Sequence, residues 1–315
     1  MSQTESVFPF SLLPDKKSVK SDCLCLLRRS AEFAYTRNAM NTDLFQLDHV
    51  QIGSETLHDA LQRYKRRGFR VESGGFSDAT GASVAQIRFE NGTGLQFVEM
   101  HDGWRYMQKR KRVYRQFGRK RIVEGGLLSA VRAYRYFDRG HAGYKGYALL
   151  ASDTEEAHER LRTNGYRDAG FTDYYSGDGS TISCRTYVDP ASLAMPIVYV
   201  ATLPPGQGHA NAAAGLFRLE IGSREPAESV RRLMELTGNE ILDPSSSGVP
   251  RPTIRVGAVN IEFSAVDTAL EEGVLETGIL AGFPGHNVLY APETNDGAAV
   301  HMSYRSAELS RKETD

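Results

Sequence analysis

The chain has 315 residues, 40% of them apolar, which is enough to bury the core of two compact units or one large one. A formal net charge of −1 removes any global electrostatic case for a nucleic-acid or membrane partner, and no apolar run approaches the ~20 residues that span a bilayer. Cys23, Cys25 and Cys184 are too few and too unevenly placed for a disulfide framework, so a reducing compartment and a cytoplasmic location are expected.

Residues 1–39 fit no repeat and show only weak periodicity, from Leu24 to Phe33. They mix Pro9, Pro14 and the basic Lys16, Lys17, Lys20, Arg28 and Arg29 with the acids Glu5, Asp15, Asp22 and Glu32, which argue against an organellar targeting peptide. An extension with little order is expected there.

The first regular stretch is Leu47–Ile52, where apolar and polar side chains alternate as in a half-buried strand. Ser54 or Thr56 can cap a helix carrying Leu57, Leu61 and Tyr64 at helical spacing, and Gly68 ends it. Three short strands follow, Phe69–Glu72, Val84–Phe89 and Leu95–Met100, with Gly74-Gly75 and Asn91-Gly92 read as turns. Residues 101–141 then concentrate Arg105, Lys109, Arg110, Lys111, Arg112 and Arg115 among Trp104, Tyr106, Tyr114 and Phe117. Aromatics within a basic run can bind nucleic acid. An amphipathic helix pair with its charges in water is the stronger reading, since acids elsewhere balance the charge and no nucleic-acid motif accompanies it.

A second copy of the strand–helix pattern opens at Gly146–Leu150 and runs through a helix from Glu155 to Asn164. Glu155 stands as far from Gly165 as His58 does from Gly68, which puts Gly146 in the place of His49; the closing strand, Met195–Val200, puts Val198 in the place of Gln96. Leu203–Asn211 has linker composition. The third copy matches Leu216–Ser223 to Leu47–Ser54 step for step; a helix from Pro226 to Gly238 follows, and Val259–Phe263 closes it with Glu262 at the Gln96 position. A shortened fourth copy has Gly285–Tyr290 as its first strand and Val300-His301-Met302 as its last.

Leu47-Asp48-His49-Val50, a helix ending in Arg67-Gly68-Phe69, Glu72-Ser73-Gly74-Gly75, Ile87-Arg88-Phe89 and the run from Asn91 to Phe97 together resemble the glyoxalase-like branch of the vicinal oxygen chelate superfamily. The resemblance extends from about Leu47 to Tyr304. It implies an α+β fold of tandem βαβββ units forming curved mixed sheets. The expected organisation is an extension (1–40), a glyoxalase-like domain of two units (41–203) with the basic helical insert (101–141), and a second domain (204–315) of one unit plus a shortened one.

Where members of this superfamily are enzymes, a divalent metal is held by the middle of the first and last strands of paired units. Alternate strand residues point to one face, so one ligand per strand can converge on a point. The resemblance implies His49 and Gln96 as metal ligands; overlay of the copies adds Glu262 and His301, giving a mixed imidazole and oxygen set that does not distinguish Zn, Mn, Fe or Ni. Arg218, at the His49 position of the third copy, has the wrong charge for a metal site and suits an ion pair with Glu262.

His209 and Asn211 match a His-Pro-Asn-Gly segment of this branch in which Ala210 and Ala212 replace Pro and Gly; with Ser77, which stands where relatives carry His, they are the substrate-binding candidates. Ala82 and Val84 replace a Thr and an Asn. No catalytic acid, base or nucleophile is marked by local spacing. Two functions follow: a metal-dependent lyase, isomerase or dioxygenase acting on a small oxygenated substrate, or a metal-free protein that sequesters a small molecule in the same cavity. A homodimer is compatible with either.

Overall fold

The computed structural model describes residues 43–77, 82–100, 142–151, 154–175, 181–189, 192, 194–201, 209, 213–242, 251–268, 271–281, 288–290 and 298–304. The leader, the basic insert and Asn211 lie outside them. No helix of the described residues is long and apolar enough to cross a membrane.

Two βαβββ units build the first sheet. The first comprises β1 (Phe45–Gly53), α1 (Leu57–Arg66), β2 (Glu72–Ser77), β3 (Ala82–Arg88) and β4 (Gly94–Met100); the second comprises β5 (Gly143–Ala151), α2 (Glu155–Thr163), β6 (Arg167–Tyr175), β7 (Thr181–Val188) and β8 (Ile197–Val200). Their eight strands run in the order β2-β3-β4-β1-β5-β8-β7-β6. Within each unit the first and last strands pair in parallel, and β1 and β5 join the units antiparallel.

The second sheet repeats the plan with less chain. It contains β9 (Ala213–Ser223), α3 (Pro226–Thr237), β10 (Ile241–Leu242), β11 (Thr253–Val256), β12 (Val259–Ala265), β13 (Gly273–Ala281), β14 (Val288–Tyr290) and β15 (Ala299–Tyr304). The order is β10-β11-β12-β9-β13-β15-β14. Here the expectation for the fourth copy needs correction. Its first strand is β13, which pairs antiparallel with β9 as β5 does with β1, while Val288–Tyr290 is an outer strand. Gly278 of β13, and no residue of Gly285–Tyr290, stands opposite Arg218.

The Gly74-Gly75 pair is a bulge inside β2 and not a turn. The register with β3 shifts between Ser73 and Gly75, and Gly75 takes φ 81°, a conformation that the missing Cβ permits. Helix α1 is also capped differently from expectation. Thr56 makes no side-chain cap, and the Glu99 carboxylate, 42 residues away, accepts from the Leu57 amide at 2.7 Å. Helix α2 has a local cap, with Thr154 Oγ1 accepting from the Ala157 amide.

Both sheets and all three helices contribute to one hydrophobic core, including Val50, Ile52, Tyr64, Leu161, Leu219, Leu233 and Phe263. The turn after β3 grips β9 across it: Asn91 Nδ2 donates to the Leu216 carbonyl (3.1 Å) and the Leu216 amide donates to Thr93 Oγ1 (2.9 Å). Gly215 makes this approach possible, because a Cβ there would lie 1.9 Å from Asn91 Nδ2. Tyr144 and Thr277 share a further hydroxyl contact at 2.7 Å.

Candidate functional site

In β1 the core takes Phe45, Leu47, Val50 and Ile52; in β3 it takes Ile87, and in β4 Leu95 and Phe97. Strand alternation places His49, Gln51, Gln86 and Gln96 on the opposite face of the sheet. Register then sets side chains in a row. Glu72 is opposite Gln86, Gln86 opposite Gln96, Gln96 beside Gln51, and Gln51 opposite Gly146. Gln51 Nε2 donates to Gln96 Oε1 at 2.8 Å.

A bulge adds the second half of this face. Leu47 pairs with Leu149 and His49 with Ala148, so Asp48 is an extra residue in β1. The local bend lets neighbouring side chains meet, with His49 Nδ1 2.7 Å from Asp48 Oδ2, while Arg88 Nη1 donates to Asp48 Oδ1 at 2.8 Å. All three residues are buried. Burial alone would raise the Asp48 carboxyl, but the Arg88 charge and the bond to His49 outweigh it and hold the group at about 2. The His49 ring stacks on Tyr199, with centroids 5.8 Å apart. Ala148, Cys184, Val188, Ile197, Tyr199 and Ala201 form a separate apolar cluster beside it. Val198, expected at the Gln96 position, lies in the shared core instead.

The corresponding face of the second sheet is ionic. Arg218 makes a two-pronged pair with Glu262 (Nε to Oε1 and Nη2 to Oε2, both 2.9 Å). It also reaches Glu220 and Glu276, each at 3.0 Å, and Arg251 pairs with Glu220 from the side. The guanidinium thus stands among three carboxylates where a cation would otherwise be required.

Of the metal-ligand candidates, His49 and Gln96 share one face of the first sheet, whereas Glu262 belongs to the second sheet and is committed to Arg218. His301 is also in the second sheet, in register with Gly278. The four backbone positions are therefore divided between two sheets, and Glu262 is not in one set with His49 and Gln96. The side chains of His301 and Ser77 lie outside the described parts; the Ser77 backbone ends β2 opposite Ala82.

His209 has a different setting from the one expected of a ligand-binding residue. Its Nε2–H donates to the Arg88 carbonyl and its Nδ1 accepts from the Arg70 amide, both at 3.0 Å, with Phe69 and Phe89 edge-on to the ring. The imidazole ties its segment to the backbone of the first unit. Burial pushes His209 below its ordinary 6.5, the bond to the Arg88 carbonyl opposes this, and the nearby Arg70 adds to the lowering.

A histidine whose folded-state value is depressed binds protons more readily once unfolded. Its contribution to stability is complete above about 6.5 and declines as pH falls below it. Urea unfolding of the wild type from about pH 7.5 to about 5.5 is expected to show this loss. A His209→Asn variant, less stable at the upper end, should show a shallower fall.

A divalent cation beside His49 on the first-sheet face would meet one imidazole and neutral amide oxygens, with the Glu72 carboxylate three strands away at the far end of the row. The nearby carboxylate, Asp48, is already neutralised by Arg88 and bonded to His49. Among the described residues no group of three His, Cys, Asp or Glu is arranged to hold a metal. With one imidazole and, among the described residues, no second His, Cys or free carboxylate beside it, this donor set falls short of the three strong protein ligands that divalent transition-metal sites usually supply. Gln51, Gln86, Asp48, Arg88 and Tyr199 were absent from the sequence-derived list. Gln51 was the most accessible of them, as it follows His49 by two residues in an alternating strand.

Paired βαβββ units, joined through antiparallel first strands and carrying a polar row on one face, define the vicinal oxygen chelate fold. The sequence profile of the glyoxalase-like domain family matches residues 47–237, more than half of the sequence, and the chain belongs to that family. No curated protein matches the sequence. Among solved structures, a hypothetical protein from Staphylococcus aureus is similar over 83% of this chain and 99% of its own, at 9% identity and a TM-score of 0.60. The Mn(II)-bound glyoxalase from Novosphingobium aromaticivorans aligns over 82% of this chain and 81% of its own (8% identity, TM-score 0.48). A mutant 4-hydroxymandelate synthase from Streptomyces coelicolor aligns over 76% and 72% (12% identity, TM-score 0.45).

Proposed function

We propose that this glyoxalase-like protein binds a small oxygenated molecule on the polar face of its first sheet without a metal ion as intermediary. The observation that carries the reading is the chemistry of the face. It offers buried carboxamides, one imidazole and a tyrosine ring, while its carboxylate–guanidinium pair is internally neutralised. Such a surface satisfies a ligand through hydrogen bonds and stacking. His49 and Gln96 remain in it as ligand-contacting residues.

A metal-dependent enzyme is the second reading, favoured by one contact. A carboxylate on the Nδ1 side of an imidazole, as Asp48 stands to His49, is the usual means of orienting a metal-bound histidine. Calorimetric titration of metal-stripped protein with Mn²⁺, Zn²⁺, Fe²⁺ and Ni²⁺ separates the two. We expect no saturable uptake that His49→Ala abolishes. Stoichiometric binding lost in that variant would establish the metal-dependent reading.

A further inference from the structure

Two buried atoms on the first-sheet face have no hydrogen-bond partner among the described residues: Gln51 Oε1 and Gln86 Nε2. Their residues are 6% and 4% exposed, and Gln96 between them is 8% exposed. An unsatisfied buried amide destabilises a fold, and replacement by an apolar residue of similar shape would remove that cost. Two such groups in one row, flanking a glutamine that is itself bonded to Gln51, mark a place where stability is given up for recognition.

The two atoms are of opposite kind. Gln86 Nε2 is a donor lacking an acceptor, and Gln51 Oε1 is an acceptor lacking a donor. They are carried by strands β3 and β1, separated by β4, so their backbones stand about 10 Å apart. A single amide edge is too short to serve both, whereas a ring with one polar group at each end has the required span. The charge balance points to an uncharged ligand. Asp48 and Arg88 neutralise each other, the glutamines carry no charge, and Glu72 continues the row beyond Gln86, where it would repel a carboxylate. Beyond the Gln51 end of the row, across β5, the Tyr199 ring stacks on His49 beside the apolar cluster.

We propose that Gln86 and Gln51 are the two ends of a recognition row for an uncharged, ring-sized molecule bearing a carbonyl-type acceptor at one end and a hydroxyl or N–H donor at the other. This rests on the reading of the same face as a small-molecule site.

The test uses the full-length protein in chelator-containing buffer with 4-hydroxybenzamide and its anionic counterpart 4-hydroxybenzoate as probes. Affinities would be measured by ligand-observed NMR for wild type, Gln51→Met and Gln86→Met. Wild type is expected to bind the amide about tenfold more tightly than the acid, and each variant to lose about tenfold for the amide, the effect of one hydrogen bond in a buried site. Without ligand, Gln86→Met should melt about 2–4 °C higher than wild type, because an orphaned polar atom has been removed, whereas Gln51→Met also breaks the bond to Gln96 and should show no such gain. Cooperative melting of both variants shows that they are folded.

Equal binding of amide and acid, unchanged in both variants, would overturn the recognition row and leave the small-molecule site standing. Binding of neither probe, with no gain in melting temperature for Gln86→Met, would overturn both. Binding that appears only when a divalent cation replaces the chelator would also overturn both, in favour of the metal-dependent reading.

Discussion

Asp48→Ala is expected to destabilise the protein by about 3–5 kcal/mol, the range for removing one partner of a buried ion pair. The carboxylate is wholly buried, and its truncation takes the Asp48 charge from the Arg88 guanidinium, which is 7% exposed. The His49 imidazole loses its orienting contact as well. The acid dependence carries the same signature. The folded-state value of about 2 lies below the ordinary 3.8, so the stability contributed by Asp48 is complete above 3.8 and is lost as pH falls through about 2. That shift corresponds to roughly 2 kcal/mol at neutral pH. The remainder of the expected loss is the arginine deprived of this charge, so adding Arg88→Met to Asp48→Ala should recover part of it. Denaturant unfolding of the two single variants and the double variant gives the coupling directly. A loss below about 1 kcal/mol for Asp48→Ala would mean that the pair is solvated and the face is not a closed polar layer.

Arg218→Ala should cost about 3 kcal/mol, towards the lower end of the buried-pair range because the side chain is 27% exposed. The variant leaves Glu220, Glu262 and Glu276 around an empty centre, with Arg251 still paired to Glu220 from the side. Two further consequences distinguish this from a simple packing defect. The carboxylates repel in the variant, so its deficit relative to wild type should shrink at acid pH as they protonate. The oxygens that surrounded the guanidinium also become candidate ligands for a hard cation, so Ca²⁺ or Mn²⁺ should raise the melting temperature of Arg218→Ala and not that of wild type. A deficit that neither acid nor these cations reduce would show that Arg218 acts through its packing alone.

Much of the architecture was legible because the repeat is a repeat of physical constraints. Leu216–Ser223 reproduces Leu47–Ser54 in its alternation, and both became first strands paired in parallel with their units' last strands. Pro226 and Gly238 bracket α3 as their backbone preferences require. Arg218 pairs with Glu262 as their charges and strand positions suggest. The parts that were not legible are those where one residue changes the parity of a strand. The bulge at Asp48 brings adjacent side chains together, which regular alternation forbids. Tyr199 rather than Val198 reaches His49.

Long-range partners were hidden for a different reason. Nothing local in Glu99 marks it as the cap of a helix that begins at Leu57, and the fourth unit's first strand, Gly273–Ala281, is a largely buried run that carries none of the motif residues by which the other units were aligned. The split of the four metal-ligand candidates has the same origin. Equivalent positions in successive units repeat along the sequence, but only units sharing a sheet place them on the same face.

The most direct measurement follows the side-chain amide resonances of Gln51, Gln86 and Gln96 by ¹H–¹⁵N NMR as 4-hydroxybenzamide is added in the presence of a chelator. Saturable shifts at these three amides, with the Arg218 guanidinium on the second sheet unmoved, are expected. Shifts confined to other parts of the chain, or shifts at these amides that arise only after a divalent metal is supplied, would contradict a metal-free polar site on the first sheet.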